Sequence, residues 1–264
     1  MKIGFIGGGN MASAMIGGLI AAGKSPSDIT LYDIDADKCS VWCQKGVNIA
    51  KTEAETEKNC DLIVFAVKPN IIPLVINKLE GYCEKIYLSI AAGITISALE
   101  NLLGDDKKIV RTMPNTPAQV GCGMTVITPN KNMSDTDVEE VKNVLSAIGD
   151  TALMSEKFMS IATALHGSSP AYVYMLIDAM ADAGVSYGLT KEQAIKLAAK
   201  AVEGSAKMVL ETGIHPEKLK DNVCSPGGTT IAAVCDLEEN GFRSVIQSAV
   251  RACVDRADEM TKQA

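Results

Sequence analysis

The apolar run Lys2-Ile3-Gly4-Phe5-Ile6 leads directly into Gly7-Gly8-Gly9-Asn10-Met11-Ala12, so a G-x-G-x-x-A turn separates a short buried strand from a helix of small residues. This confines the start of the chain to strand, tight turn and helix, the phosphate cradle of a dinucleotide-binding fold. The first glycine permits the turn and the second lets backbone approach a pyrophosphate. Ala12 lets the helix lie close on the sheet, with its N-terminal N–H groups facing the anion. The helix expected over 12–22 ends at Gly23, and a second strand, Ile29-Thr30-Leu31-Tyr32-Asp33, closes in an acidic residue 24 positions beyond Gly9. A carboxylate roughly 20 residues on is what binds the adenosine ribose hydroxyls in such folds. The plainer reading of the same residues is a glycine-rich turn beside an exposed aspartate.

A chain of 264 residues can bury one large core or two modest ones. With 47% hydrophobic and 22% charged residues it has the balance of a soluble globular protein. The formal charge of -7, with 25 lysines and arginines scattered along the chain, argues against a nucleic-acid or anionic-membrane partner and leaves a small molecule as the expected ligand. No apolar run approaches the roughly 20 residues of a membrane span. The first strand begins at once, leaving no room for a signal peptide, so a cytoplasmic location is expected. Eight cysteines (Cys39, Cys43, Cys60, Cys83, Cys122, Cys224, Cys235, Cys253) contain no C-x-x-C pair and read as reduced packing residues. Cys39 and Cys43 share a helix face, but the two histidines of the chain offer no matching pair, and no metal is expected.

Strand and helix signals alternate through the first half. Helix is expected over 35–45, strand over 61–67, helix over 71–79, strand over 86–91, helix over 96–103, and strands over 108–113 and 124–128. Ser134 then caps a helix with Asp137 three residues on, and 151–154 reads as the last strand. Such alternation implies a parallel sheet covered on both faces. Beyond about residue 158 the strand signal gives way to alanine- and methionine-rich helices over 171–187, 191–212 and 230–260. The fold class is therefore an α/β N-terminal Rossmann domain plus an all-α C-terminal domain, divided as 1–157 and 158–264. The helices are apolar on more than one face with few aromatics to cover them, which points to packing against a second chain; a compact monomeric bundle is the alternative.

A Rossmann half supplies a cofactor and says little about a substrate, so chemistry has to come from residues at the carboxyl ends of the strands. Ala66-Val67-Lys68-Pro69 ends one strand, with Pro69 turning the chain where a nicotinamide ribose would lie and Lys68 either a donor there or a surface lysine. Ser89-Ile90-Ala91-Ala92-Gly93 ends the next with side chains small enough for a flat ring to rest on the backbone. Met113-Pro114-Asn115-Thr116-Pro117 is either a polar contributor or a rigid connection. In the helical half, Val223-Cys224-Ser225-Pro226-Gly227-Gly228-Thr229-Thr230 opens a helix whose Gly228, Thr229 and Thr230 amides would form a carboxylate site, unless Thr229 simply caps the helix. Gly167-Ser168-Ser169-Pro170-Ala171-Tyr172 is a similar helix entry. His166, without an evident carboxylate partner, reads as a packing or surface residue, and His215-Pro216 as a loop.

Taken in order, Gly4 through Met11, Ala66 through Pro69, Ser89 through Gly93, Met113 through Pro117, Gly167 through Tyr172 and Leu219-Lys220-Asp221-Asn222 running into the Ser225 to Thr230 segment resemble the pyrroline-5-carboxylate reductases over residues 1–260. The resemblance implies NAD(P)H-dependent reduction of 1-pyrroline-5-carboxylate to L-proline, the last step of proline biosynthesis. It implies that Gly7, Gly9, Asn10 and Met11 hold the pyrophosphate, that Val67, Lys68 and Pro69 flank the nicotinamide ribose, and that Ala91, Ala92 and Gly93 back the ring. Gly8, Asp33 and Asn222 join them on the cofactor side. The Gly228 and Thr229 amides would bind the substrate carboxylate with Ser225 nearby, and Thr230 would be the catalytic hydroxyl, donating to the substrate ring nitrogen. The family's helical domain forms dimers that assemble into larger rings.

Two positions depart from the family. Many relatives carry a small hydroxyl or a basic group where Asp33 stands, and a carboxylate would repel the 2′-phosphate of NADPH, which tilts the expectation toward NADH unless Lys38 or a loop shift accommodates the phosphate. His166 stands where relatives have a small residue. Two rival readings are a β-hydroxyacid or 6-phosphogluconate-type dehydrogenase, which would need a catalytic lysine in a suitable motif, with which none of Lys191, Lys196, Lys200 and Lys207 is paired, and a nucleotide-sensing protein without turnover, which would not need the Ser225 to Thr230 segment.

Overall fold

The computed structural model describes residues 1–263. In chain order the first half comprises β1 (Ile3–Ile6), α1 (Asn10–Ala21), β2 (Ile29–Tyr32), α2 (Ala36–Cys43), β3 (Asn48–Ile49), α3 (Glu53–Asn59), β4 (Leu62–Phe65), α4 (Ile72–Ile76), β5 (Ile86–Ser89), α5 (Ile96–Leu103), β6 (Lys108–Met113), β7 (Gly123–Pro129), α6 (Asp135–Leu145) and β8 (Gly149–Leu153). The strands form one sheet in the order β3-β2-β1-β4-β5-β6-β7-β8. The chain winds outward from β1 in one direction and from β4 in the other, leaving a crevice at their carboxyl ends, where ligands bind in sheets of this kind. Every neighbouring pair is parallel except β6 and β7, which run antiparallel where alternation had implied a parallel sheet. The connection over 114–122 is too short for a parallel crossover, which takes roughly a dozen residues.

Strand side chains alternate between two cores. Ile3, Phe5, Leu62, Val64 and Leu88 pack with Met15, Ile16 and Leu19 of α1 and with Val141, Val144 and Leu145 of α6. Ile6, Ile63, Phe65 and Tyr87 turn to the other face, against Ile72, Val75 and Ile76 of α4 and Leu99 of α5. Because both faces are covered, the strands read as continuous apolar runs.

Glu57 on α3 is fully buried. It accepts from the Tyr87 hydroxyl at 2.6 Å, Glu80 N at 2.7 Å and Gly81 N at 3.0 Å, and so ties α3 to β5 and to the chain beyond α4. Burial first, and then Glu57 behind it, pushes the Tyr87 phenol above its ordinary range. Glu57→Ala strands three donors at once and is expected to cost about 3 kcal/mol or more, against about 1 kcal/mol for Tyr87→Phe, which removes only one of them. Urea unfolding of the two variants measures the difference.

The remaining elements are α7 (Met159–Ala162), a π-helical turn (Thr163–Gly167), α8 (Ser169–Ser186), α9 (Lys191–Thr212), α10 (Pro216–Val223), α11 (Thr229–Glu239) and α12 (Phe242–Gln263). The single helix expected over 230–260 is broken at Asn240-Gly241, where Gly241 takes φ +74° and starts a new helix. By packing, the chain divides into two compact units, Met1–Ser168 together with the chain from Cys253 onward, and Ser169–Ala252. Many apolar side chains of the second unit are exposed, among them Met175 at 72%, Leu197 at 64% and Leu210 at 80%.

Candidate functional site

Gly7 leaves β1 with φ +104°, and its N–H donates to Tyr32 O at 2.8 Å. A Cβ at this position would lie 2.5 Å from Ala66 O, so the turn is pressed against the end of β4. Gly9 is the N-cap of α1, and no side chain caps that helix. Its first-turn N–H groups, those of Asn10, Met11 and Ala12, are therefore left for an anion. A Cβ on Gly9 would meet nothing within 4 Å, which makes this an open cradle of the kind a pyrophosphate occupies.

Beside this turn lies a cavity of about 460 Å³. Gly7, Gly9, Asp33, Val67 and Lys68 line it, joined by Glu53 and Lys78, which carry no motif in the sequence. The walls are Tyr32, Ile34, Ile71, Leu74 and Val75. Apolar walls with a few convergent polar groups fit a nucleoside. A more open depression of about 520 Å³ lies at the other end of β1, between the C-terminal end of α1 and α6, without a glycine cradle.

Asp33 is held by the turn it faces. Its Oδ2 accepts from Gly8 N at 2.6 Å and its Oδ1 from Asp35 N at 2.8 Å. Lys38, the group that could have offset its charge, has its Nζ 3.8 Å from Asp33 and 3.4 Å from Asp35. The lysine is thus shared between two carboxylates.

Pro69 opens the short turn that follows Lys68, and Lys68 makes no ion pair among the described residues. At the end of β5, Ala91 N donates to Ser89 Oγ at 3.2 Å and Gly93 takes φ +82°. Ala92 and Gly93 line a separate small cavity of about 50 Å³ with Arg111, Met113, Met260 and others. Asn115 is a structural tie, donating through Nδ2 to His166 O at 3.0 Å and accepting Met124 N at 2.9 Å. The His166 ring nitrogens lie 2.5 Å from Ala162 O and 2.7 Å from Met113 O, so the imidazole is engaged by backbone as a packing residue.

In the second unit, Ser225 to Gly228 form a turn closed by Gly228 N donating to Ser225 O at 3.0 Å. Gly227 takes φ +66°, and a Cβ on Gly228 would collide with Ser225 Oγ. Gly228 is the N-cap of α11 and no side chain caps it, so Thr229 does not serve as a cap. Thr229 and Thr230 open the helix with hydroxyls that enter no hydrogen bond among the described residues. Asn222 is exposed on α10.

Sequence reading missed Glu53, Lys78 and the apolar walls. The one signal for α3 was Thr52 followed three residues later by Glu55, and Thr52 Oγ1 does accept from Glu55 N at 3.1 Å. No sequence pattern marks Glu53 as a cavity residue.

Two family models match. Residues 156–260 match pyrroline-5-carboxylate reductase dimerisation, and residues 2–93 match NADP oxidoreductase, coenzyme F420-dependent. A pyrroline-5-carboxylate reductase from Escherichia coli K12 is 47% identical over 99% of this chain and 98% of its own length. The crystal structure of a Plasmodium falciparum pyrroline carboxylate reductase with NADP bound is 36% identical, with a TM-score of 0.90 over 99% of this chain and 98% of that one. The Coxiella burnetii pyrroline-5-carboxylate reductase structure is likewise 36% identical, with a TM-score of 0.92 over 98% of each chain.

Proposed function

The chain belongs to the pyrroline-5-carboxylate reductase family, and from that premise we propose how its residues divide the work of the reaction. The activity is NAD(P)H-dependent reduction of 1-pyrroline-5-carboxylate to L-proline, and the helical part is a dimerisation domain. When bound, the reduced nicotinamide supplies the hydride. In the reading proposed here, residues 1–157 serve the dinucleotide and 158–264 serve the substrate and the dimer. The α1 amides of Asn10, Met11 and Ala12, reached across Gly7, Gly8 and Gly9, hold the pyrophosphate. Asp33 takes the adenosine ribose, Val67, Lys68 and Pro69 flank the second ribose, and Ala91, Ala92 and Gly93 support the ring, with Asn222 assisting.

The substrate carboxylate rests on the N-terminus of α11, at the Gly228 and Thr229 amides beside Ser225. A helix N-terminus favours an anion through both its free N–H groups and its dipole. Thr230 donates to the ring nitrogen, which gains electron density as hydride reaches the adjacent carbon. An imine carbon is already electrophilic, so positioning matters more than a strong acid. The observation that carries this reading is the pair of uncapped helix N-termini, α1 and α11, each entered through a glycine turn.

Asp33, fixed by Gly8 N and with Lys38 shared, supports a preference for NADH over NADPH. Following reduced-cofactor absorbance with 1-pyrroline-5-carboxylate, kcat/KM is expected to be higher with NADH. Asp33→Ser is expected to shift the ratio toward NADPH by about tenfold, roughly 1.4 kcal/mol. A ratio equal in both proteins removes Asp33 from cofactor choice.

Assembly of dimers into a ring is proposed on the exposed apolar helices, with light scattering after size exclusion as its test. Among the described residues no helix is long and apolar enough to cross a membrane. The eight cysteines are free, which fits a reducing compartment, and cytoplasmic residence is proposed on that ground.

A further inference from the structure

Two glutamates of α3, four residues apart, are almost wholly buried, and they differ in one respect. Glu57 has both oxygens occupied by protein donors. Glu53, 5% exposed, has only Oε1 engaged, by Lys78 Nζ at 2.7 Å. No protein group donates to its Oε2. Among the described residues no buried side-chain oxygen or nitrogen lacks a partner, so Oε2 must be reached from outside the protein. Glu53 is among the residues that line the cavity beside the glycine turn. A carboxylate kept in an apolar wall with one oxygen available is a costly arrangement unless a donor arrives to meet it.

The cavity also says what kind of donor. Two carboxylates, Asp33 and Glu53, face it, and each has a lysine beside it, Lys38 and Lys78. Ile34 and Leu74 flank it with 92% and 59% of their surfaces exposed, apolar area that a nucleoside would cover. The polar atoms of an adenosine ribose are hydroxyl donors, whereas a phosphate near neutral pH offers mainly acceptors and negative charge. Lys38 and Lys78, the lysines beside these carboxylates, are already held by them, and Lys68 is the one cavity lysine without an ion pair among the described residues.

We propose that Glu53 is a second specificity-determining residue for the cofactor, accepting a ribose hydroxyl on Oε2 and, together with Asp33, excluding a 2′-phosphate. This rests on the reading of the cavity as the adenosine site. Loss of the Glu53 charge both removes a repulsion and frees Lys78.

The test is calorimetric titration of NADH and NADPH into the full-length protein, comparing wild type with E53Q, D33S and the double variant. E53Q is expected to lower the NADPH-to-NADH Kd ratio about tenfold, and the double variant to lower it further than either single change. Lys78→Met, which keeps the Glu53 charge and removes its partner, is expected to move the ratio the other way and guards against a misfolded E53Q. A ratio shifted by D33S but not by E53Q or Lys78→Met would reduce Glu53 to a structural partner of Lys78 and overturn the proposal. If no variant moves either Kd, the cavity is not the adenosine site and the underlying reading fails. A gain in affinity for deamino-NADH in E53Q with the NADPH ratio unmoved would assign Glu53 to the base, again overturning the proposal.

Discussion

Gly7→Ala is expected to cost both fold and cofactor, while Gly9→Val costs the cofactor alone. At Gly7 the added Cβ meets Ala66 O at 2.5 Å and a Val67 methyl at 2.9 Å, in backbone with φ +104°. Strain of about 1–3 kcal/mol from the conformation alone is joined by displacement of the β4 end. Thermal unfolding should shift down by several degrees, and NADH affinity should fall about 100-fold or more, roughly 2.7 kcal/mol. At Gly9, the N-cap of α1, an added Cβ meets no protein atom within 4 Å, so the new side chain is expected to occupy open space at the mouth of the helix. Its melting temperature should match wild type while NADH affinity falls by a similar factor. Gly8→Ala is the internal control for the fold: its Cβ finds Asp33 Oδ2 at 3.4 Å, an ordinary contact, and its melting temperature should match wild type. Normal NADH binding by Gly9→Val would show that the pyrophosphate does not pass over this helix.

What the sequence made legible was local chemistry. The glycine turn, the Ser134–Asp137 capping box and the helix Lys191–Thr212 depend on residues within a few positions of each other, and the structure has each of them. The Asn240-Gly241 break was also local, but the apolar periodicity on either side outweighed the turn signal. The third helix failed for a different reason. Its buried face is Glu53, Thr56 and Glu57, so it lacks the apolar stripe that marks a packed helix. Its burial is made acceptable by Tyr87, Lys78 and two backbone amides that are more than 20 residues away. The contributions of α3 and α4 to the cavity wall, Glu53, Leu74 and Val75, were hidden for the same reason, because only the folded sheet brings them beside Asp33. The antiparallel β7 was hidden likewise, because strand direction depends on how far the connection can reach and not on the apolar pattern of the strand.

Thr230→Ala is expected to lower kcat by about 10–100-fold with 1-pyrroline-5-carboxylate, the effect of losing one hydrogen bond of about 1.5–3 kcal/mol to a centre of developing charge. The fold should tolerate the change. Gly228 is the N-cap of α11, and the Thr230 hydroxyl enters no hydrogen bond among the described residues, so its removal leaves no orphaned partner. Alanine is also the better helix former. NADH affinity should be unaltered, since the dinucleotide cradle belongs to α1 and not to α11. Thr230→Ser, which keeps the hydroxyl, should recover most of the turnover, and Thr230→Val, which keeps the shape without it, should not. This pattern separates a hydroxyl that touches the substrate from one that only packs, because a packing role would follow volume and favour valine over serine. Measured kcat values that track volume, or that do not change in a folded alanine variant, would remove Thr230 from the reaction and leave the Gly228 and Thr229 amides as the whole contribution of α11.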